Sequence, residues 1–366
     1  MLQELGSVWS ELGHQLTRRL AGPRPPADSY SIGDEAGVEL PLAFFDEDNL
    51  RNVRGYSPGT NSLYEDARLR QRFIKVTRAT VSRHRDVIVD PERGFIFMRE
   101  RVRRLAHEAG LPSLFKSAFR GAAASFVAAP ASFAWESGAS VYFGHAVLSE
   151  LPLYRILRGK VSVPLYGLPR AQYPHLARYL QLTRTEFIPL AARAHFRELL
   201  LGNVPVHHPL WTRAVVEMGD LVRAGAAASR SGARSPALVY LSRGAGGASR
   251  APSNEEELCA LVRSQGGLVV RTDGPLEPML GCLIEADVVI SVEGSQLAHA
   301  FLALKPGATV VVLQSPFRFN NYRKKEADAR GLRYATFVGE ARGGGSYAVD
   351  ARGLFLLLDR AVRSPR

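Results

Sequence analysis

Apolar residues near the N-terminus recur with the period of a helix, at Leu2, Leu5, Trp9, Leu12, Leu16 and Leu20. This spacing predicts an amphipathic helix that ends in the linker 21–26, whose prolines lack an amide donor. Glu4 and Glu11 interrupt the apolar core that a signal peptide needs. We therefore expect residues 1–26 to be a retained helix and linker, packed on the body or on a second subunit, with a membrane-surface anchor as the alternative.

Residues 27–206 alternate between strand and helix patterns. Short β-branched and aromatic runs surround the turn-forming segment 90–94, which predicts a hairpin. Further along, the pattern predicts a helix over 148–157, a strand over 161–165, a helix near 176–182, and strands near Phe187 and Phe196. This alternation is typical of an α/β domain.

Residues 207–345 carry the pattern of a second, doubly wound domain. A helix from Pro209 through Val222 precedes an aperiodic stretch, 224–235, which predicts a loop. Apolar β-branched runs then alternate with helical patterns, as expected for the doubly buried strands of a parallel sheet. These runs are Leu238–Leu241, Leu268–Val270, Val288–Ile290, Val310–Leu313 and Tyr334–Val338.

Boundary signals support the helices of this second domain. Ser253 followed three residues later by Glu256 predicts a capping box, in which two side chains satisfy free amides at the helix start. The last helix belongs to residues 346–366. The glycines at 343–345 give enough slack for this helix to cross back onto the first domain.

Composition fits a large folded chain. Of 366 residues, 46% are hydrophobic and 22% are charged, enough for a buried core and about two domains. With only two cysteines and no uncharged run of the ~20 residues that span a bilayer, we expect a cytoplasmic protein, or one peripheral at the inner face of the membrane. The formal net charge of +12 predicts attraction to anions. The scattered basic residues lack aromatic interleaving and zinc-finger spacing, which argues against nucleic acid as a partner.

Two of the predicted strands end in residues suited to binding an anion. Ser242 and Arg243 follow the first strand, and a glycine-rich loop leads on to Arg250. Two guanidinium forks suit phosphate oxygens, although a solvated glycine loop would look the same. The turn 293–296 follows the third strand and opens a helix, where backbone amides suit a diphosphate or a ribose.

Other chemistry is disfavoured by the motifs. The chain has no P-loop, Gly-x-Gly-x-x-Gly or Gly-x-Ser-x-Gly motif, which argues against P-loop hydrolysis, dinucleotide redox chemistry and hydrolase chemistry. The acidic triplet 46–48 lies far upstream of the predicted parallel sheet, so we interpret it as a solvated loop. We expect neither a metal nor a cofactor.

Taken in order, the motifs resemble those of glycosyltransferase family 61, of the bacterial type that acts on capsular and envelope polysaccharides, over roughly residues 86–339. They are Tyr142-Phe143-Gly144-His145, Ser149-Glu150-Leu151-Pro152-Leu153, Ser242-Arg243, Arg250, Asn254-Glu255-Glu256-Glu257-Leu258, Ser291-Val292-Glu293-Gly294-Ser295-Gln296-Leu297, Pro306-Gly307 and Arg318-Phe319-Asn320-Asn321. The resemblance implies two Rossmann-like domains facing a central cleft, the GT-B arrangement, with the acceptor in the first and a nucleotide sugar in the second. It also implies inversion at the anomeric carbon without an obligatory metal.

Inverting transfer needs a base for the acceptor hydroxyl, and His145 and Glu150 are the candidates. Either could instead be structural, as a core histidine or a salt-bridged carboxylate. Without a metal, Arg243 and the amides of Gly294 and Ser295 would balance the charge of the leaving diphosphate. The donor-binding candidates are Ser242, Arg243, Arg250, Asn254, Glu293, Gly294, Ser295 and Gln296, and the candidates for a substrate rim are Arg318, Asn320, Asn321 and Arg323.

The sequence thus predicts an inverting, metal-independent glycosyltransferase that uses a nucleotide sugar, as a monomer or a homo-oligomer. Its acceptor would be a cell-envelope glycan or a lipid-linked oligosaccharide. The alternative is a non-catalytic protein that binds polyanions, either polysaccharide or nucleic acid, through the basic stretch 318–342. A solvated helix face would also explain most of that stretch.

Overall fold

The computed structural model describes residues 28–58, 60–91, 95–98, 101–104, 125–136, 139, 142–228, 236–244 and 250–363. The helix and linker predicted for residues 1–26 lie outside these ranges, as does most of the glycine-rich loop between Arg243 and Arg250. Within the described ranges, no helix combines the length and apolar character needed to cross a membrane.

The strands of the first half form a nine-stranded mixed sheet and a separate pair, β2 with β3. They are β1 (Ser29–Gly33), β2 (Ala36–Glu39), β3 (Phe73–Val76), β4 (Ala79–Asp90), β5 (Phe95–Met98), β6 (Arg101–Arg104), β7 (Ser125–Val127), β8 (Ala131–Phe133), β9 (Leu165–Gly167), β10 (Ile188–Pro189) and β11 (Ala194–Asn203). The order is β10-β9-β8-β11-β4-β5-β6, with β1 also on β4 and β7 also on β11. Because β11 is parallel to β8 but antiparallel to β4, this sheet differs from the parallel sheet of a Rossmann-like domain.

The local predictions for this half are largely confirmed. Asp90 pairs with Phe95 across β4 and β5, which is the predicted hairpin, although its turn residues 92–94 lie outside the described ranges. The strand predicted over 161–165 forms slightly later, as β9. Pro164 has no amide to donate to a strand ladder, which explains the shift.

The helices of the first half are α1 (Glu47–Leu50), α2 (Ser62–Arg70), α3 (Phe143–His145), α4 (Leu151–Lys160) and α5 (Leu176–Leu182). A π-helical turn, Ala146–Glu150, joins α3 directly to α4. Such turns interrupt α-helices where the regular ladder is broken, and Pro152, which lacks an amide donor, follows this one closely. The helix predicted over 148–157 is therefore part of a longer run that starts at Phe143.

The second half is built on a five-stranded parallel sheet, as predicted. Its strands are β12 (Leu238–Ser242), β13 (Leu268–Arg271), β14 (Val288–Val292), β15 (Thr309–Gln314) and β16 (Arg333–Val338), and each contains one of the predicted apolar runs. The order β13-β12-β14-β15-β16 is that of a doubly wound sheet. From β12 the chain continues to β13 at one edge of the sheet, and from β14 it continues through β15 to β16 at the opposite edge. The topological switch point therefore lies between β12 and β14.

The helices of the second half are α6 (Pro209–Ala228), α7 (Glu255–Ser264), α8 (Leu276–Leu283), α9 (Leu297–Ala303), α10 (Lys324–Ala329) and α11 (Ala351–Arg363). Helix α6 continues through residues 224–228, which we expected to be a loop, because alanine strongly favours a helix. The predicted capping box does not form. The Ser253 hydroxyl instead donates to the carbonyl of Tyr347 at 3.0 Å, and α7 begins two residues later, at Glu255.

Helix α11 packs on the sheet of its own half and also reaches the first half, where its Arg360 pairs with Asp46 at 3.0 Å. Leu354 and Leu357 belong to the same buried cluster as Leu313 of β15 and Phe337 of β16. A short hairpin of β17 (Glu340–Ala341) and β18 (Tyr347–Ala348) precedes this helix. The glycines at 343–345 form the turn between the two strands of this hairpin.

Both halves contribute to one apolar core. Val147 and Leu148 of the π-helical turn belong to the same buried cluster as Leu297 and Phe301 of α9. All four side chains are fully buried. Because protein interiors are close-packed, this contact fixes the start of the long helix against α9, which follows the switch-point strand β14.

A segment from the first half extends the second sheet beyond β16. The Phe44 amide donates to the Tyr334 carbonyl at 2.8 Å, and the Phe44 carbonyl accepts from the Thr336 amide at 2.9 Å. In α1, the Asn49 side chain bonds both backbone groups of Val338, at 2.8 and 2.7 Å. Residues assigned by sequence to the first domain therefore cover the edge of the second sheet.

Helix α10 is buried in spite of its charge. Lys324 and Lys325 are only 2% and 8% exposed. The Lys324 ammonium lies 2.8 Å from Asp328, and the Lys325 ammonium lies 3.6 Å from the ring centroid of Tyr322. These partners offset the cost of removing the cations from water. The expectation of a solvated basic face over 318–342 is therefore wrong, and a polyanion-binding surface at this stretch is not supported.

Replacing Asn49 should loosen the junction between α1 and β16. Asn49→Ala removes two side-chain hydrogen bonds and leaves the backbone groups of Val338 without them, so we expect a loss of about 1–3 kcal/mol in the free energy of unfolding. Asn52→Ala is the matched control, because Asn52 reaches the same carbonyl only at 3.5 Å. Urea denaturation should place this control within about 0.5 kcal/mol of the unmodified chain. Equal stability of all three proteins would contradict the assignment.

His207 should make the fold sensitive to mild acid. Burial, together with the charges of Lys324 and Lys325, lowers the pKa of this imidazole to about 4. The unfolded chain, with an ordinary pKa of about 6.5, binds the proton first, so stability falls as the pH drops from about 6.5 towards 4. His207→Asn, which tolerates the positive φ of 65° at this position, should flatten that decline in urea titrations. Near pH 8, where the imidazole is neutral, the pH dependence of stability should be the same in the variant and the unmodified chain. The prediction is contradicted if the stability of the variant falls as steeply below pH 6.5 as that of the unmodified chain.

Candidate active site

The two strand ends singled out in the sequence meet at the topological switch point. Tyr240 of β12 lies opposite Ile290 of β14, and both strands run in the same direction. Arg243 therefore leaves β12 at the level where Glu293 leaves β14. Ligands of open α/β sheets bind in the crevice outside such a point.

Positive charge is concentrated at this edge. Arg250 forms an ion pair with Glu293 at 2.5 Å, and both side chains are largely buried. Burial first, and then the neighbouring charges of Arg250 and Arg318, lower the pKa of Arg243, while Glu293 opposes the shift. The guanidinium groups of Arg243, Arg250 and Arg318 thus lie close enough to repel one another, and a bound anion would relieve that repulsion.

The turn that follows β14 presents backbone amides to the same edge. No described residue accepts a hydrogen bond from the amides of Gly294 and Ser295. A side chain on Gly294 would clash with the Gln296 amide oxygen. Gln296 itself is buried and donates to the Val292 carbonyl at 2.6 Å and to the Ser291 hydroxyl at 3.2 Å. Gln296 therefore braces the turn from inside.

The start of the long helix lies directly against this turn. A Cβ atom built on Gly144 would lie 3.2 Å from the Ser295 Cα and would clash with the Arg323 guanidinium. Arg323 is 5% exposed, donates to the Gly144 carbonyl at 3.4 Å and pairs with Glu326 at 3.1 Å. Arg323, expected at a substrate rim, thus supports the backbone next to His145 from within the core.

His145 is positioned by a carboxylate that the sequence did not identify. Its Nδ1 lies 2.8 Å from the Glu136 Oε2, and its ring stacks on that of Tyr322 at 5.2 Å. The side chain is 20% exposed. No described residue forms a hydrogen bond with its Nε2, so that nitrogen is available to a ligand.

Glu150 lies behind this pair and is closed to solvent. Arg170 donates to it at 2.7 Å, and Tyr154 donates at 3.1 Å. Burial raises the pKa of Glu150, although the charge of Arg170 opposes that shift. The carboxylate also accepts the backbone amide of Glu136 at 3.2 Å. Glu150 therefore fixes the backbone of Glu136, the residue that pairs with His145.

Three of the other candidates make internal contacts. Asn254 bonds both backbone groups of Val349, at 2.9 and 3.0 Å. The Asn320 side chain accepts the Tyr322 amide at 2.7 Å, and the Asn321 side chain accepts the Tyr334 hydroxyl at 3.0 Å. The side-chain amides of these three residues therefore hold other parts of the chain in place.

Ser242 and Arg318 stay at the switch-point edge with Arg243. The Ser242 hydroxyl makes a long contact to Glu255, at 3.5 Å, and the Arg318 Nε donates to the Ser57 hydroxyl at 2.9 Å. Over the described part of the chain, no group of three or more His, Cys, Asp or Glu side chains could hold a metal ion.

Comparisons with known proteins place this geometry in context. Residues 143–312 match the family described as Glycosyltransferase 61. Among solved structures, the chain is similar to the bacterial iron-containing dodecameric glycosyltransferase TibC from enterotoxigenic E. coli H10407, with 13% sequence identity and a TM-score of 0.32. That alignment covers 88% of this chain and 86% of TibC. No curated protein matches the chain.

Proposed function

Because the chain belongs to glycosyltransferase family 61, we propose that it transfers a sugar from a nucleotide-sugar donor to an acceptor hydroxyl, with inversion and without a metal ion. For the acceptor we keep the prediction made from the sequence, a cell-envelope glycan or a lipid-linked oligosaccharide. The family match covers His145 and the turn after β14, which supports treating these two parts as one site.

The donor diphosphate is assigned to the switch-point edge. Arg243 is the main candidate, because it follows β12 at the switch point, level with the place where Glu293 follows β14. The amides of Gly294 and Ser295 provide further donors that cost no reorganisation when charge develops on the leaving oxygen. Arg250 already has a carboxylate partner, Glu293, so its share of the binding should be smaller.

The base is assigned to His145 in preference to Glu150. Nε2 of His145 takes the acceptor proton as the acceptor oxygen forms its bond to the anomeric carbon. The bond from that carbon to the phosphate oxygen breaks, and the nucleoside diphosphate leaves with the electron pair. Glu136 accepts a hydrogen bond from the Nδ1–H group, which keeps Nε2 unprotonated, and it stabilises the imidazolium that forms.

One observation carries the proposal: the close approach of Gly144 to Ser295. It joins the helix that bears His145 to the turn that presents the free amides. A base and an anion site held together in this way match what a direct displacement requires. The assignments of donor and base then lead to two experiments.

Nucleoside diphosphates should stabilise the protein against heat through Arg243. A ligand at a hundred times its Kd adds about 2.7 kcal/mol to the stability of the state it binds, enough for a clear rise in Tm. With EDTA present, we expect at least one of UDP, GDP, CDP and ADP to raise the Tm of the full chain. Arg243→Leu should abolish most of this rise.

Arg158→Leu is the matched control, because that arginine is 56% exposed and pairs with Glu186. It should keep the full response. The donor assignment fails if no nucleotide raises the Tm, if EDTA removes the effect, or if Arg243→Leu responds like the control.

Replacing the base should reduce turnover without reducing nucleotide binding. His145→Ala should lower the turnover of a nucleotide-sugar panel by about 10²–10⁴-fold, the usual contribution of a general base. Glu136→Gln should cause a smaller loss, because the ring keeps a hydrogen-bond partner but loses the carboxylate charge. Both variants should keep the rise in Tm with the nucleotide.

Glu186→Gln provides the control for the loss of a carboxylate, since Glu186 is 79% exposed. It should turn over the donor at the unmodified rate. Near-normal turnover by His145→Ala would remove His145 from the mechanism while leaving the donor assignment intact.

A further inference from the structure

A line of aromatic and basic side chains leads from His145 to the surface. The Arg68 guanidinium lies 5.4 Å from the ring centroid of Tyr322, which stacks on His145, and 4.5 Å from that of Tyr64. The Tyr142 ring lies 5.7 Å from the same imidazole. We call Tyr64, Arg68, Tyr322 and Tyr142 the aromatic rim.

Rings and hydroxyl groups of the aromatic rim are accessible to a ligand. Tyr64 is 57% exposed and Tyr142 is 40% exposed. The phenol hydroxyls of Tyr64, Tyr142 and Tyr322 make no hydrogen bond to any residue in the described ranges. Exposed rings gathered beside a reactive group are typical of a ligand-binding surface.

Arg68, the charged member of the aromatic rim, has a carboxylate partner close by. It pairs with the buried Glu65 at 2.6 Å. With this charge already paired, the rim suits an uncharged ligand.

The rim is also held in place before any ligand arrives. The backbone amide of Asn321 donates to the Glu65 carboxylate at 2.5 Å, and the Ser57 hydroxyl accepts a hydrogen bond from the Arg318 Nε at 2.9 Å. These bonds fix helix α2 and the segment before it against the loop that carries Tyr322. A rigid surface loses little entropy on binding.

We propose that the aromatic rim binds an uncharged pyranose ring of the acceptor, with its reacting hydroxyl directed to His145. A pyranose combines an apolar C–H face with a belt of hydroxyl groups. Tyrosine rings match the apolar face, and their hydroxyls match the belt. This inference rests on the proposed function and adds an acceptor subsite to it. Tyr64 and Arg68 lie outside the stretch matched to the family, residues 143–312, so this subsite is a feature of the wider chain.

Saturation-transfer-difference NMR on the full chain tests this subsite with methyl glucoside, galactoside, mannoside and xyloside as probes. We expect saturation of the ring C–H protons of at least one probe. Tyr64→Ala and Tyr142→Ala should each weaken binding of that probe about tenfold, whereas Tyr64→Phe should keep most of it. The rise in Tm with a nucleoside diphosphate should be unchanged in all three variants, which also shows that they are folded.

Two controls match the substitutions. Tyr30→Ala removes a tyrosine of similar exposure, 41%, from β1, and Leu63→Ala changes the neighbouring position of α2, which is 82% exposed. Both should bind the probe normally. The subsite is overturned if no probe is saturated, if Tyr64→Ala and Tyr142→Ala both bind normally, or if either control loses as much binding. Loss of the nucleotide response in Tyr64→Ala would also overturn it, because the rim would then belong to the donor, whereas the Arg243→Leu experiment tests the proposed function separately.

Discussion

The site depends on one constraint, the close approach of Gly144 to the turn after β14. Arg323 maintains it, since its buried guanidinium bonds to the Gly144 carbonyl and to Glu326. A larger residue at position 144 would push these groups apart. The backbone next to His145 is thereby held against this turn. The buried charge of α10 is therefore part of how the candidate site is assembled.

The parallel sheet and the meeting of its two polar strand ends could be predicted from the sequence. Strands buried on both faces leave continuous β-branched runs, and these gave all five strands from Leu238 to Val338. Carboxyl ends of parallel strands share one edge, so placing Arg243 near Gly294 needed no knowledge of long-range contacts. The alternation in the first half indicated its helices in the same way, although not the mixed order of its sheet.

What the sequence could not reveal depends on partners distant along the chain. Glu136 lies in an irregular segment with no periodicity, and only the fold brings it to His145. The charges of α10 look like a solvated face, because their charge partners are local, whereas the burial of the helix comes from distant contacts such as that of Lys324 with the Pro41 carbonyl. Glu150 was a candidate base or a salt-bridged carboxylate in the sequence, and the ion pair with Arg170 that closes it off is formed across 20 residues.

The pairing of α1 with β16 has a consequence for biosynthesis. Asn49 and Val338 are 289 residues apart, and at about 5–20 residues per second a ribosome takes roughly 15 to 60 s to make the intervening chain. During that interval Phe44 has no β16 strand to pair with. The earliest of these segments to emerge is thus among the last to settle, and its apolar residues are the ones that a chaperone would need to shield while the chain is still growing.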